Sequence, residues 1–435
     1  MHGYLHRRPL PVLLASAGLL LALTSGQPAS AAAKTRISVL ASTSQWFYGY
    51  LKEQIDAFQA QHPDVSIALE GVPGSPVDPL MVRAAAGLTP DVMFLGNVSD
   101  RLIRDVLEKL ALDVGPILER DQDVTTRSFY PTIIRAFTHN QQLVGIPLGV
   151  FTSATFVNKR LFDESGIPVP DEAWTWNDLL SIGTKLTKRN PTNQQAIQWG
   201  FGADGSSLVY LGASSFLWAN DADVVDQNES RATINETRAI QALQFFYDIH
   251  FKHNIAYTPP QAGQWTAFWN GKLAIWESAS WNIAFNRQHA RKDVDWDIVP
   301  QLRSPYTNKA ASLISSNVIA ISRTSRHPDL AWEFIKYAIL SKQGQERIAQ
   351  EGVLPPIVGA VSYYLNTMKA PPSNVKQVVQ SVAYGRTAVW FSDPAINKTI
   401  WDYLEQRWDQ VMQQKTSVES FAAEAAAFIN SVLKR

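Results

Sequence analysis

The 435-residue chain contains no cysteine. It can therefore form no disulfide, and it can carry no lipid on a cysteine at a processed N-terminus. An excess of charge is missing as well, because 39 Lys and Arg residues balance 39 Asp and Glu residues. Without a surplus of positive charge, the composition gives no electrostatic footprint for nucleic acid or for an anionic membrane, and neither is expected as a partner.

Long apolar runs are missing beyond the first thirty residues. Residues 10–24 are almost entirely apolar, follow Arg7 and Arg8, and precede small residues at 29–33. This order is typical of a secretory signal peptide, although the twin arginines leave the export route open. A membrane anchor is the alternative, but the apolar run is shorter than the roughly 20 residues that a spanning helix needs. We therefore expect residues 1–33 to be a cleaved signal peptide and the remaining chain to be exported and soluble.

Catalytic motifs are also scarce, since no nucleophile elbow, Walker loop or H-E-x-x-H helix appears. Residues 200–205 match G-x-G-x-x-G, but the missing strand-to-helix context favours a glycine-rich loop over a cofactor site. His250 and His253 have a spacing that suits metal ligation, yet no acid stands at a convincing spacing, which favours solvated surface histidines. Three aspartates alternate over 293–297; they could serve a glycosidase, but alternation predicts one solvent-facing strand face. No catalytic residue, cofactor or metal is expected.

Aromatic residues, by contrast, are abundant, with 14 Trp, 13 Tyr and 19 Phe. Most large rings fill cores, and the others present flat apolar faces with polar edges, which suit a ligand that has both characters. The roughly 400 residues left after cleavage exceed what one hydrophobic core usually supports, so two domains are expected.

Apolar patterns alternate between strand and helix from the start of the mature chain. Strands are predicted at 37–40, 65–69 and 92–95, with helices near 51–58 and 78–87 between them. This alternation predicts an α/β fold with a largely parallel sheet. Further predictions are helices at 176–186, 237–251, 330–339 and 400–411, strands at 296–299 and 318–321, and a capping box formed by Thr416 and Glu419.

The segment 156–179 is the most distinctive part of the sequence. It reads FVNKRLF at 156–162, then Gly166-Ile167, Pro170 and WTWNDL at 174–179. It resembles the YNK-LF-GL-P-TWDEL stretch of family 1 extracellular solute-binding proteins, the sugar receptors of ABC importers to which maltose-binding protein is related. Other segments resemble that family in the same order, namely AAAGLTPDV at 84–92, LVGIP at 143–147, FWNGKLAI with SW at 268–281, SRHPDLAWEFIK at 325–336 and GVLPP at 352–356.

The resemblance implies a two-lobed periplasmic-binding-protein type II fold with a hinge and a ligand cleft between the lobes. Projected onto this chain, lobe one would comprise 34–147 plus 300–352, and lobe two 148–299 plus 353–435. The implied function is capture of a carbohydrate and delivery to the permease subunits of an ABC importer. We expect a monomer that is not an enzyme, and the missing lipidated cysteine favours a freely diffusing receptor in a periplasm.

The resemblance also implies which residues contact the ligand. They are Ser42, Thr43 and Trp46 after the first strand, Gly96 and Asn97 after the third, Phe151 after the first crossing, and Glu277, Trp281, Ser315, Ser316, Asn317, Tyr384, Arg386 and Trp390 further along. Trp281 occupies the position of the family's ligand-stacking tryptophan. Ser315 and Ser316 stand where relatives often have glycines, so their side chains would narrow the cleft or add hydroxyl contacts.

Some alternatives stay open. Trp46 could instead pack against the first helix, whereas Trp174, Trp176 and Trp332 are assigned to the fold. The same fold could bind glycerol-phosphate, for which Arg386 is one candidate cation. It could also bind a polyamine, but that ligand would need several acids in the cleft and Glu277 is a single one. An exported glycosidase or lyase is a different class, and a glycosidase would need two carboxylates in one cleft.

Overall fold

The computed structural model describes residues 34–97, 101–170, 174–204, 208, 211–257, 263–387 and 393–434. The expected signal peptide lies outside these ranges. Among the described residues, no helix has both the length and the apolar character needed to cross a membrane.

Fourteen strands are recognised within the described ranges. They are β1 (Thr35–Ser42), β2 (Val65–Val72), β3 (Val92–Asn97), β4 (Thr138–His139), β5 (Gln142–Leu143), β6 (Ile146–Pro147), β7 (Phe151–Asn158), β8 (Lys188–Arg189), β9 (Ala196–Ala203), β10 (Leu273–Ala279), β11 (Trp296–Val299), β12 (Ser312–Ser315), β13 (Asn317–Ile321) and β14 (Gly385–Arg386).

Helices follow most of these strands. They are α1 (Phe47–Gln61), α2 (Val77–Ala85), α3 (Arg101–Leu110), α4 (Gly115–Arg120), α5 (Pro131–Phe137), α6 (Lys159–Asp163), α7 (Trp176–Leu186), α8 (Ala213–Ala219), α9 (Thr237–Phe251), α10 (Gln264–Trp269), α11 (Asn282–His289), α12 (Pro328–Ile335), α13 (Lys342–Gln350), α14 (Val361–Thr367), α15 (Lys376–Gln380), α16 (Pro394–Met412) and α17 (Val418–Leu433). A π-helical turn, Lys336–Leu340, extends α12.

Two separate sheets organise the chain. The first has the strand order β2-β1-β3-β13-β6, and the second has the order β14-β12-β7-β10-β9-β8 with β11 added beside β7. In the first sheet, β1 runs parallel to both β2 and β3, so the carboxyl ends of these three strands lie at one edge. The predicted α/β class and the predicted parallel strands are confirmed.

The apolar side chains form two cores, and the first of them extends from the first sheet to the second, where it includes Phe156 and Trp276. Ile37, Val39 and Phe94 are buried in the core that covers the first sheet, which the helices α1 and α12 help to close. Phe201, Phe246 and other apolar side chains of α7, α9, α16 and α17 form a second core against the second sheet. Because helices pack on the strands on both sides, the central strands β7 and β10 are buried along their whole length, their polar residues included.

The chain passes between the sheets at neighbouring segments. The Leu148 N–H donates to the Asn317 carbonyl at 2.9 Å, and the Val150 N–H donates to the Leu354 carbonyl at 2.7 Å. Ser315 pairs with Phe151 at the end of β12. Sheet membership therefore changes between β12 and β13, although residues 312–315 fall in the segment assigned to lobe one. The lobe boundaries as a whole stay a prediction.

Three local predictions are wrong. His250 is 1% exposed and packs on Phe246 inside the second core, because it lies one helical turn after that residue on the buried face of α9. Asp297 is buried too, since its carboxylate accepts hydrogen bonds from the Ser373 hydroxyl and the Asn374 N–H. The last helix is capped by Ser417 rather than Thr416, because the Ser417 hydroxyl accepts from Ser420 N–H.

A fourth prediction, that residues 200–205 form a glycine-rich loop, is wrong at Gly200 and Gly202, because both lie within β9. A Cβ built on Gly200 would lie 2.1 Å from the Gly183 carbonyl oxygen and 2.6 Å from its Cα, both backbone atoms of α7. Gly200 therefore permits strand and helix backbones to touch, and it lies within β9 rather than at a strand-to-helix turn.

We predict that Gly200→Ala destabilises the protein by about 1–3 kcal/mol, because the added methyl group overpacks against backbone that cannot rotate away. The matched control is Gly49→Ala on α1, where no atom lies within 4 Å of the added Cβ. That change should stabilise by about 0.5–1 kcal/mol through helix propensity. Urea unfolding of both variants measures the difference, and an unchanged Gly200→Ala protein would contradict the close packing.

Candidate ligand-binding cleft

The carboxyl edge of the first sheet carries polar side chains. Ser42 ends β1, and its hydroxyl donates to the Gly74 carbonyl at 2.6 Å while accepting from Ser44 N–H. Thr43 is exposed beside it and donates to the Val72 carbonyl at 3.3 Å. Open α/β sheets bind ligands outside the carboxyl ends of their strands, so this edge is one wall of a candidate site.

Trp46 lies on the same wall, directly before α1. Its ring is half-buried and meets Phe47 edge-on with centroids 5.8 Å apart. The indole Nε1 is buried and has no hydrogen-bond partner. The ring packs against the start of α1, and its indole N–H is available to a ligand. Both alternatives for Trp46, packing against the first helix and contacting the ligand, therefore remain open.

Gly96 and Asn97 end β3 next to Ser42. No heavy atom lies within 4 Å of the position that a Gly96 Cβ would take, so open space adjoins the backbone there. The Asn97 side-chain oxygen accepts a hydrogen bond from the Ser315 hydroxyl. Since Ser315 belongs to β12, this contact joins the edge of the first sheet to the second sheet.

The opposing wall is formed where β10 ends beside the start of β7. Phe151 and Trp281 meet there edge to face, with centroids 5.8 Å apart and planes at 74°. The Ser280 N–H donates to the Thr152 carbonyl at 2.8 Å, which fixes the backbone before Trp281. Trp281 is half-buried, and its neighbour Phe151 pairs with Ser315, which bonds to Asn97, so the ring lies near the junction of the two sheets.

Ser315, Ser316 and Asn317 form the crossing between these walls. All three are buried. The Ser316 hydroxyl donates to the Asn317 carbonyl at 2.8 Å, and Asn317 pairs with Asn97 across the first sheet. The two serine hydroxyls therefore already donate within the protein, which leaves their oxygen lone pairs as the groups that a ligand could use.

Glu277 lies away from this edge. It is 4% exposed and lines a small internal cavity with Trp176, Ser215 and Gln301, between the second sheet and the helices α7 and α8. Neither the Glu277 Oε1 nor the Ser215 hydroxyl has a hydrogen-bond partner of normal geometry. Burial raises the pKa of Glu277 to about 7, and the nearby Ser215 hydroxyl offsets only part of that effect. Its ligand contact stays a prediction that this location does not favour.

Tyr384 and Arg386 lie beside β12, where β14 pairs with it. Arg386 pairs with Asp223 at 3.2 Å, so its charge is partly compensated within the protein. Tyr384 lies 3.2 Å from the Ser381 hydroxyl, and burial raises the pKa of its phenol. Trp390 lies outside the described residues.

Asp204 is a candidate that the sequence reading missed. It follows β9 directly, and because β9 runs parallel to β10, both strands end at the edge where Trp281 lies. Its carboxylate accepts hydrogen bonds from the Ser278 hydroxyl at 2.8 Å and the Gln264 amide at 3.1 Å. Burial raises the pKa of Asp204, and these two hydrogen bonds lower it. The available signal was a single acid placed immediately after an apolar strand.

The chain is similar in sequence to known extracellular binding proteins. The model of the family described as bacterial extracellular solute-binding protein matches residues 41–345. An arabinooligosaccharide-binding protein of Halalkalibacterium halodurans is 23% identical over 49% of this chain, and the alignment spans about half of that relative, 47%. A mannitol-binding protein of Pseudomonas aeruginosa is 25% identical over 72% of both chains.

Solved structures agree on the fold. An ABC substrate-binding protein from Listeria monocytogenes in complex with cycloalternan superposes with a TM-score of 0.77 at 20% identity, over 92% of this chain and 99% of that one. A cyclic alpha-maltosyl-1,6-maltose binding protein from Arthrobacter globiformis gives a TM-score of 0.76 at 19% identity, with 92% and 99% covered. The expected two-lobed binding-protein fold is thereby confirmed.

We predict that Glu277→Gln changes how stability depends on pH. A carboxyl whose pKa rises from 4.5 in the unfolded chain to about 7 on folding stabilises the protein below pH 4.5 and loses that contribution as pH rises through 7. As pH rises from 4.5 to 7, the free energy of unfolding of the variant should therefore increase by roughly 3 kcal/mol relative to that of the wild type. Urea unfolding across this pH range measures the gain.

The comparison with the wild type isolates this one group. Burial lowers the pKa of His250 to about 4, which makes stability fall as pH drops from 6.5 to 4, but His250 is common to both proteins. Glu119→Gln on exposed helix α4 removes one acid from the surface and serves as the matched control. A wild-type-to-variant difference that stays flat with pH would overturn the assignment.

Proposed function

This chain belongs to the family of bacterial extracellular solute-binding proteins, and from that premise we propose that it captures a carbohydrate and delivers it to an ABC importer. The observation that carries the proposal is Trp281, a half-buried ring placed against Phe151 near the junction of the two sheets. The names of similar proteins support a sugar or polyol ligand, since they bind arabinooligosaccharide, mannitol and cycloalternan.

The chemistry of the two walls suits such a ligand. A sugar has apolar C–H faces and polar hydroxyl edges, so it needs an aromatic plate together with hydrogen-bonding groups. Trp281 and Trp46 supply rings on opposite walls. Ser42, Asn97 and Asp204 supply hydroxyl, amide and carboxylate groups at the strand ends between them.

Closure of the cleft would couple binding to delivery. A ligand drives closure only to the extent that it binds the closed form better than the open form. A site of micromolar affinity has about 8 kcal/mol available, which exceeds the few kcal/mol that a hinge motion costs. The permease would then distinguish the closed, loaded receptor from the open one.

Catalysis is not part of the proposal. Asp293 pairs with Arg291, Asp295 pairs with Lys159, and Asp297 is held by Ser373 and Asn374. These three carboxylates are therefore engaged elsewhere and do not form the facing pair that a glycosidase requires. The family consists of substrate-binding proteins, which supports a receptor without turnover.

The charges beside the cleft bear on the class of ligand, and the family bears on the partner and the location of the protein. Arg386 is compensated by Asp223, which weakens the case for a glycerol-phosphate ligand in this cleft. We place the protein in a periplasm as a monomer that binds permease subunits, in keeping with the extracellular family and the expected signal peptide.

We predict that Trp281→Ala weakens carbohydrate binding at least about tenfold, because it removes an aromatic contact worth about 1.4 kcal/mol or more. Trp265→Ala is the matched control, since Trp265 is 42% exposed on α10 and stacks on Trp269 away from Phe151. A panel of sugars, polyols and phosphates is screened by thermal shift, where ligand at 100 times Kd adds about 2.7 kcal/mol of stability.

The outcomes separate the competing functions. Stabilisation by one sugar or polyol, lost in Trp281→Ala and kept in Trp265→Ala, supports the receptor. Release of smaller sugars by the wild type would show a glycosidase instead. If both tryptophan variants lost the ligand-induced stabilisation equally, the assignment of Trp281 to the ligand site would be wrong.

A further inference from the structure

A groove lies on the second-sheet side of the molecule, beyond the cleft. It is bounded by the second half of α11, the segment before β11 and residues 369–371, and it encloses about 540 Å³. Arg287, Arg291, Lys292 and Lys369 line it, and we refer to it as the basic groove. Its volume falls in the range of small-molecule sites in proteins.

The lining of the basic groove includes four cationic side chains and no acidic one. Asp293 is the nearest acid in sequence, and it pairs with Arg291 at 3.0 Å. Arg287 donates to the carbonyl oxygens of Lys369 and Pro371, which ties the 369–371 segment to α11. Within the described part of the chain, Lys292 and Lys369 form no ion pair, so two positive charges are uncompensated.

A buried amide adds a second, independent feature. Asn286 is 1% exposed and lies at the inner wall of the basic groove. Its side-chain oxygen accepts from the Trp269 indole N–H at 2.7 Å, which fixes the orientation of the amide. The Asn286 Nδ2 is then a buried donor without a partner, and such donors are rare in proteins unless a ligand or a water satisfies them.

Stabilisation of α11 does not by itself explain why these cationic side chains and the unsatisfied amide lie in the basic groove. Cations near a helix C-terminus are favoured by its dipole, which explains Arg287 and in part Arg291. That reason covers neither Lys369, which comes from a separate segment, nor the unsatisfied Asn286 donor. Burial also lowers the pKa of Arg287, so its charged form would gain from an anion placed nearby.

We propose that the basic groove binds a phosphate group carried by a small organic molecule. The phosphate oxygens accept from Lys292, Lys369 and the Asn286 amide, all of which are donors. The organic part lies against the apolar wall that Val294 and Trp296 provide. The basic groove and the cleft use different side chains, because none of the residues that line the groove belongs to the walls of the cleft.

Isothermal titration calorimetry with O-phosphoserine, serine and inorganic phosphate tests the proposal on the full mature chain. Saturable binding of O-phosphoserine and phosphate, without binding of serine, is expected. The double variant Lys292→Gln/Lys369→Gln should bind about tenfold more weakly, since removing two exposed charge contacts amounts to about 1.4 kcal/mol. Lys185→Gln/Lys415→Gln changes the net charge equally at exposed positions outside the groove and should bind like the wild type.

Other arms identify the source and the place of binding. Trp281→Ala should leave phosphate binding unchanged, and a loss there would assign the phosphate to the cleft and overturn the proposal. Equal weakening in both lysine pairs would show a general charge effect and overturn it too. Binding to phosphatidylglycerol vesicles but not to O-phosphoserine would point to a membrane surface instead. No saturable binding of any phosphate probe would also refute the proposal.

Discussion

The backbone hydrogen bonds between the crossing segments are the constraint on which the rest of the structure depends. Leu148 binds the Asn317 carbonyl and Val150 binds the Leu354 carbonyl, so distant parts of the chain meet at one place. These bonds hold the end of β3 and the start of β13 beside the start of β7. The strand ends of the two sheets thereby face a shared space, which neither sheet could form alone.

Aromatic side chains divide between two roles according to their distance from that junction. Trp176, Trp276 and Trp408 are the three largest side chains that are fully buried, and they lie inside the cores. Trp46 and Trp281 lie at the edges and are only half-buried. A ring that already packs on one face loses little further conformational freedom on binding, which makes these two positions suitable for an apolar sugar face.

Local patterns predicted elements well because each depends on neighbours in sequence. The helix at 176–186 has the predicted bounds because its apolar periodicity follows one buried face, and the strand at 296–299 has them although all four of its residues are buried. Asp297 shows the limit: its alternation with Asp295 suggested solvent, but its hydrogen-bond partners come from residues 373–374. The burial of Glu277 and the pairing of β12 with β7 have no signal in the local sequence for the same reason, because long-range packing decides them. His250 differs, since its position four residues after Phe246 was a usable signal.

The crossing also limits how the proposed closure can take place. Ser315 and Ser316 are buried and hydrogen-bonded, so a large rotation of their backbone would break contacts that hold Asn97 and Asn317. Gly149 is packed as tightly, because a Cβ there would lie 2.4 Å from the Val353 side chain. Gly352, with a φ of +83°, adopts a conformation that only glycine holds without strain. Ser315 and Ser316 are stiffer than glycine, so Gly352 is the position near the crossing whose backbone conformation requires glycine.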